Sequence, residues 1–167
     1  ESSWPLVTPT PQRRSFMSRP KWSSVAVLAL LLLVSASVYA KESDTAQVQA
    51  VLDKWIRAWE TNDIRAVEEV IAKDKDAVWF GTDAAEHFVG WEPVRESIVK
   101  QFATYQGTKF HLKDRAIKMS TSGKVAWASE VIDWATRSGD EVVSVPAIRV
   151  TTILEKRQGV WLIVHFH

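Results

Sequence analysis

The sequence predicts an α+β domain: three N-terminal helices packed on one face of a strongly curved antiparallel sheet, leaving a cone open at one end. Three observations carry this. Apolar residues recur at helical spacing through residues 44–105 and with a period of two from Phe110 onward. Short turns containing Gly, Ser or Lys join the later runs, as in a meander of hairpins. One of those runs switches the parity of its apolar residues and another contains a proline; both are marks of bulges, which bend a sheet. Helices segregated from an antiparallel meander define the class.

The chain has 167 residues, enough for one domain, and its 46% hydrophobic and 25% charged residues are ordinary for a globular protein. The net charge of +1 is unevenly placed. Residues 1–40 hold four basic side chains (Arg13, Arg14, Arg19, Lys21) and one acid, Glu1. The remaining 17 basic and 19 acidic side chains leave the rest slightly acidic, with no clustered basic face for nucleic acid. Cysteine is absent, which excludes disulfides, thiolate catalysis, Cys-ligated zinc and a lipid anchor on Cys.

Residues 1–40 read as an export region. Val25–Val34 is an apolar run preceded by basic residues, and Ser35–Ala40 supplies small residues for cleavage after Ala40. The run is shorter than the roughly 20 apolar residues that a membrane span needs. Arg13-Arg14-Ser15-Phe16-Met17 is similar to a twin-arginine export motif, and Met17 is an alternative start. The expected location is periplasmic or secreted, with no membrane contact after cleavage. Residues 41–167 form the expected domain.

Lys41–Asn62 is the first predicted helix. Val48, Val51, Leu52, Trp55, Ile56 and Trp59 make one apolar stripe, with Ser43 or Asp44 as cap and Gln47 in capping-box position. Asn62-Asp63 breaks it and starts a shorter helix whose apolar side is Ile64, Val67, Val70 and Ile71. Ala77–Phe80 is a short strand, and Gly81–His87 a polar loop. Gly90 opens a third helix with Pro93 in its first turn, where a missing N–H costs little. Val94, Ile98, Val99, Phe102 and Tyr105 form its stripe. Four strands follow: Phe110–Met119, with a bulge between Leu112 and Ile117; Val125–Thr136; Val142–Glu155, where Pro146 implies an edge or a bulge; and a last strand from Val160.

Several short motifs carry a resemblance. They are Ala58-Trp59, Phe80-Gly81-Thr82-Asp83 with Glu86 and Gly90, Gly123–Trp127, Arg149-Val150-Thr151 and Trp161–His167. In that element order the chain resembles the SnoaL-like branch of the nuclear transport factor 2-like superfamily, over residues 44–167. The resemblance implies a ketosteroid-isomerase-like cone with a pocket, and a homodimer through the outer sheet face. Relatives hosting isomerases, cyclases, hydrolases and binders share this fold, so it does not fix an activity. The base position of the ketosteroid isomerase relatives falls near Trp79 or Phe80, with no matching Asp, and the first helix offers Trp55 and Trp59 instead of Tyr. The family's last strand runs a few residues past the final His, so the expectation is a domain cut short at its C-terminus.

The last strand ends in His165 and His167. Strict alternation places them on one face with Trp161 and Ile163, opposite Val160, Leu162, Val164 and Phe166. On that reading both imidazoles enter the cone as acid/base or hydrogen-bonding groups. The alternatives are a solvated strand end, or two metal ligands completed by Asp83, Glu86, His87 or Glu130. Arg149 lies in an otherwise apolar run and needs a partner, either a ligand anion or Glu130 or Asp133 on the neighbouring strand. Glu130 and Asp133 have opposite parity, so at most one faces the cone. The expected catalytic set is His165, His167 and Arg149. The expected ligand-binding set is Trp59, Trp79, Asp83, Glu86, His87, Trp127 and Trp161. The expectation is a small, partly apolar organic ligand with no cofactor, no resident metal and no nucleic acid. The competing readings are a non-catalytic binding or dimerisation module and, third, a metal-assisted hydrolase.

Overall fold

The computed structural model of the protein describes residues 44–167; the export run, the expected cleavage after Ala40 and Ser43 as a cap lie outside them. Helix α1 occupies residues 44–60. Then come α2 (Ile64–Val70), β1 (Val78–Phe80), β2 (His87–Val89) and α3 (Trp91–Thr104). The strands β3 (Tyr105–Met119), β4 (Val125–Ser138), β5 (Glu141–Arg157) and β6 (Val160–Phe166) complete the domain. No helix among the described residues is long and apolar enough to cross a membrane.

The helical periodicity does what it predicts. Val48 and Leu52 of α1 are fully buried, and Trp55 and Ala58 nearly so. They meet Trp161, Ile163 and Leu154 from the sheet, which are equally inaccessible. Each such large apolar side chain contributes on the order of 1.5–3 kcal/mol by leaving water. Asp44 ties the start of α1 to the sheet, accepting from Lys156 Nζ at 2.5 Å and Trp161 Nε1 at 3.5 Å. Asn62 turns the chain with φ 53°, and its side-chain amide donates to the carbonyls of Phe102 and Tyr105 at the end of α3. Asp63 then caps α2, its carboxylate accepting from the Arg65 and Ala66 amides.

The six strands form one curved α+β sheet in the order β2-β1-β6-β5-β4-β3, antiparallel except for the β1–β6 pair. The sequence pointed to a plain loop after β1. His87–Val89 instead folds back as β2, a three-residue strand paired with β1. Its length hides it from any periodicity test. β3 is also longer than expected, starting where α3 ends.

Bulges set the faces. One interrupts β3 between Leu112 and Asp114, inside the window where the parity switch predicts it, and β3 has a further register shift between Gln106 and Lys109. A second lies in β5 opposite Ile132–Trp134, at Pro146-Ala147. Ala147 sits there at φ 56° and donates its N–H to Asp133 Oδ1 at 2.8 Å. Proline therefore marks a bulge in an interior strand. A third was not legible in the sequence. Ile153 pairs with His165 but Leu154 pairs with Ile163, so β6 carries an extra residue at Val164. That residue reverses the parity of the last three positions.

Candidate functional site

The inner face of the sheet is read directly from the register. Arg115, Glu130 and Val150 lie side by side on β3, β4 and β5. Glu130 shares the apolar face of β4 with Ala126, Ala128 and Ile132, all buried. A carboxylate there needs a cation or donors. Arg115 supplies them: its Nε lies 2.6 Å from Glu130 Oε1 and its Nη1 2.5 Å from Asp53 Oδ1 on α1. The side chains of Arg115 and Glu130 are 8% and 5% exposed, while Asp53 is 43% exposed. The pair is thus buried, and its third member reaches water. Burial pushes the Glu130 carboxyl above its usual range, against the pull of Arg115. Burial acting alone would lower the Arg115 guanidinium, but the carboxylates of Asp53 and Glu130 outweigh it and raise it. Arg115 Nη2 is buried without a partner.

Above this row lies a cavity of about 130 Å³ between α1, α3, the β1–β2 loop and the sheet. Eight of its lining side chains are aromatic: Trp55 and Trp59 from α1, Trp79 and Phe80 from β1, Phe88 from β2, Phe110 from β3, Trp134 from β4 and Phe166 from β6. They hold one another in place. Trp55 meets Trp59 edge-on at 5.6 Å, Phe166 stacks on Trp79 at 5.9 Å, and Trp59 meets Phe102 edge-on at 5.1 Å. The polar lining is short: Thr82, Glu86, Ser97, Gln101 and Glu130. Glu86 Oε2 accepts from the amides of Thr82 and Asp83, and Oε1 from Gln101 Nε2 at 3.2 Å, so neutral donors fix its position. A mostly apolar cavity with a few convergent polar groups is the form ligand sites take.

Of the residues the sequence singled out, Trp59, Trp79 and Glu86 line this cavity. The others lie outside it. The expected placement of His165 and His167 beside Trp161 and Ile163 fails at the β6 bulge: Trp161 and Ile163 face the core and Phe166 lines the cavity. His165 instead packs through Nδ1 on the Val78 carbonyl at 2.7 Å. The three imidazoles of His87, His165 and His167 gather around Phe80, with ring centroids 5.0, 6.2 and 5.1 Å away. Among the described residues no three His, Asp or Glu side chains come together as a metal-ligand set.

Arg149 is exposed, opposite Val131 on the outer face of the sheet. Neither partner weighed for it is taken up by it, because Glu130 pairs with Arg115 and Asp133 with Lys113 and the Ala147 amide. Trp127 is likewise on the outer face, 40% exposed, in a row with Lys118, Ile153 and His165. Trp161 is 2% exposed in the core beneath Lys156. Asp83 is exposed and closes its own turn by accepting from the Ala85 amide.

Glu130, Phe166 and Trp134 line the cavity and Arg115 lies beneath it on Glu130, and none of these four is in the expected catalytic or ligand-binding set. Glu130 had a signal, an acid with the parity of Ala126, Ala128 and Ile132. Arg115 lies just past the β3 bulge, where parity is ambiguous. Strict alternation places Phe166 on the opposite face, whereas Trp134 shares the parity of Ala126, Ala128, Glu130 and Ile132, a signal that the expected set does not use.

Comparison with known proteins agrees with this architecture. Residues 48–167 match the family model described as the SnoaL-like domain. A nuclear transport factor 2-like superfamily protein from Salmonella enterica superposes with a TM-score of 0.68 at 15% identity, covering 75% of this chain and 89% of that one. A Streptomyces avermitilis protein of the nuclear transport factor 2-like family, proposed to be a dehydratase, gives 0.66 at 15% identity over 75% and 94%. A Caulobacter vibrioides protein described as having a cystatin-like fold gives 0.62 at 22% identity over 75% and 87%. At these identities the likeness is one of fold. The search of curated proteins finds no match. With the family model spanning everything from the first turns of α1 to the last strand, the chain belongs to the SnoaL-like domain family, in the cone fold of the nuclear transport factor 2-like superfamily.

Proposed function

We propose that this is an exported small-ligand-binding protein whose ligand sits inside the cone, against Glu130. The observation that carries the reading is an aromatic-walled cavity floored by one buried carboxylate. Where the ligand is also turned over, the chemistry is cofactor-free acid/base work through Glu130, whose carboxyl is pushed by burial above the ordinary glutamate range. This moves the role from His165, His167 and Arg149 to a residue inside the cavity.

A pocket-filling variant tests the reading. Ile148 is a half-buried residue of the cavity wall. In Ile148→Trp the added ring occupies ligand space. Titration with a small neutral probe, 3,3-dimethylbutan-1-ol, followed by tryptophan emission, is expected to saturate in the parent protein and to weaken at least tenfold in the folded variant. Equal binding in both would refute the cavity as the site.

Export is supported by the Val25–Val34 run and the small residues ending at Ala40. N-terminal sequencing of secreted protein should begin at Lys41. Self-association through the outer sheet face is supported by half-exposed Trp127 beside Ile153. Trp127→Glu should then reduce the mass measured by light scattering to that of a monomer.

A further inference from the structure

We infer that the ligand of this cavity is a small organic cation, an amine or quaternary ammonium group on a compact apolar body; the inference rests on the cavity being the binding site. The argument is one of charge and wall chemistry. Among the described residues the charged side chains that line the cavity are Glu86 and Glu130, and no Lys, Arg or His lines it. The hydrogen-bond donors on Glu86 are the neutral amides of Thr82, Asp83 and Gln101, with no cation among them. Glu130 is only partly compensated. Its single cation, Arg115, is shared with Asp53, so one positive charge faces two carboxylates. The site therefore carries a net negative charge in a low-dielectric setting, which disfavours an anionic ligand and favours a cation.

The walls point the same way. Aromatic faces attract cations, ammonium and quaternary ammonium groups above all, and most strongly where water is excluded. The tryptophans surround the space from α1, β1 and β4, and Phe166 closes it from β6. The indole nitrogens of Trp59, Trp79 and Trp134 are buried, with no hydrogen-bond partner among the described residues. A cavity of about 130 Å³ holds a group the size of one small ring or a trimethylammonium. Apolar cavities of about 150 Å³ accept benzene.

The test uses three probes of one shape on the full folded chain: choline, its neutral carbon isostere 3,3-dimethylbutan-1-ol, and the anion 3,3-dimethylbutanoate. Affinities are read by tryptophan emission and calorimetry at fixed ionic strength. Choline should bind about tenfold or more tightly than the alcohol, in line with a desolvated cation–π contact, and the anion weakest. Alcohol binding as tight as choline overturns the charge assignment while leaving the cavity as the site. Saturable binding by none of the three overturns the cavity reading itself. In Glu130→Gln the choline-to-alcohol ratio should fall severalfold, the aromatic walls and Glu86 keeping what remains of it. If that variant fails to fold, Glu86→Gln replaces it, with a severalfold fall in the ratio. An unchanged ratio in the folded variant overturns the role given to the carboxylates.

Discussion

Glu130 shows how much one buried charge depends on its neighbour. Its carboxylate sits on an apolar sheet face, and Arg115 makes that tolerable. Removing the cation from a buried pair typically costs about 3–5 kcal/mol, because the remaining charge stays desolvated. Arg115→Met should lower stability by that amount in chemical denaturation, and a loss under 1 kcal/mol would show that Glu130 is solvated. The raised carboxyl of Glu130 also sets a pH dependence. Between the ordinary glutamate range and the raised value, the folded state holds the proton that the unfolded state has released. Stability attributable to Glu130 is therefore full at low pH and declines as pH rises through that window. Asp44, Asp74 and Asp133 are shifted downward by Lys156, Arg157 and Lys113, so their contributions are lost only at still lower pH. Denaturation of parent and Glu130→Gln in a pH series rising from the ordinary glutamate range should show the decline in the parent alone.

At the scale of elements, what was legible and what was not divides at the bulges. The stripes of α1 and α2 follow helical periodicity, as do Val94, Ile98 and Phe102 of α3, but Val99 is exposed and Tyr105 already belongs to β3. Strand faces are read correctly only until an extra residue intervenes. In β4, whose register shift against β5 adds its extra residue to β5, alternation places Ala126, Ala128, Glu130, Ile132 and Trp134 inward. In β6 the extra residue at Val164 exchanges Phe166 for His165, and nothing in the local sequence announces it. The imidazole pair was therefore a true feature assigned to the wrong face. Gly90 is the converse case, a single residue whose role is plain from its type. It starts α3 at φ +86°, and a Cβ there would lie 2.7 Å from the Lys75 carbonyl oxygen. Gly90→Ala should cost about 1–3 kcal/mol from backbone strain, with the clash adding to it, and a thermal midpoint equal to the parent's would show that the α3 start relaxes freely.

For the whole molecule, the cone follows from segregation and curvature. Three helices cover one face of a sheet that four register shifts bend, and the space left between them is aromatic because α1, β1, β4 and β6 each direct a Trp or Phe into it. The sequence made the fold and the cavity walls of α1 and β1 legible. The floor required the pairing of β3 with β4, which no single strand encodes. The central claim is that ligands enter this space and not the histidine-rich outer edge. Indole N–H resonances report it directly, since tryptophans lie on both sides of the sheet. On titration with choline or 3,3-dimethylbutan-1-ol, the resonances of Trp55, Trp59, Trp79 and Trp134 should shift together along one binding curve, with Trp127 and Trp161 unmoved. Shifts confined to Trp127, or to the ring protons of His165 and His167, would contradict it.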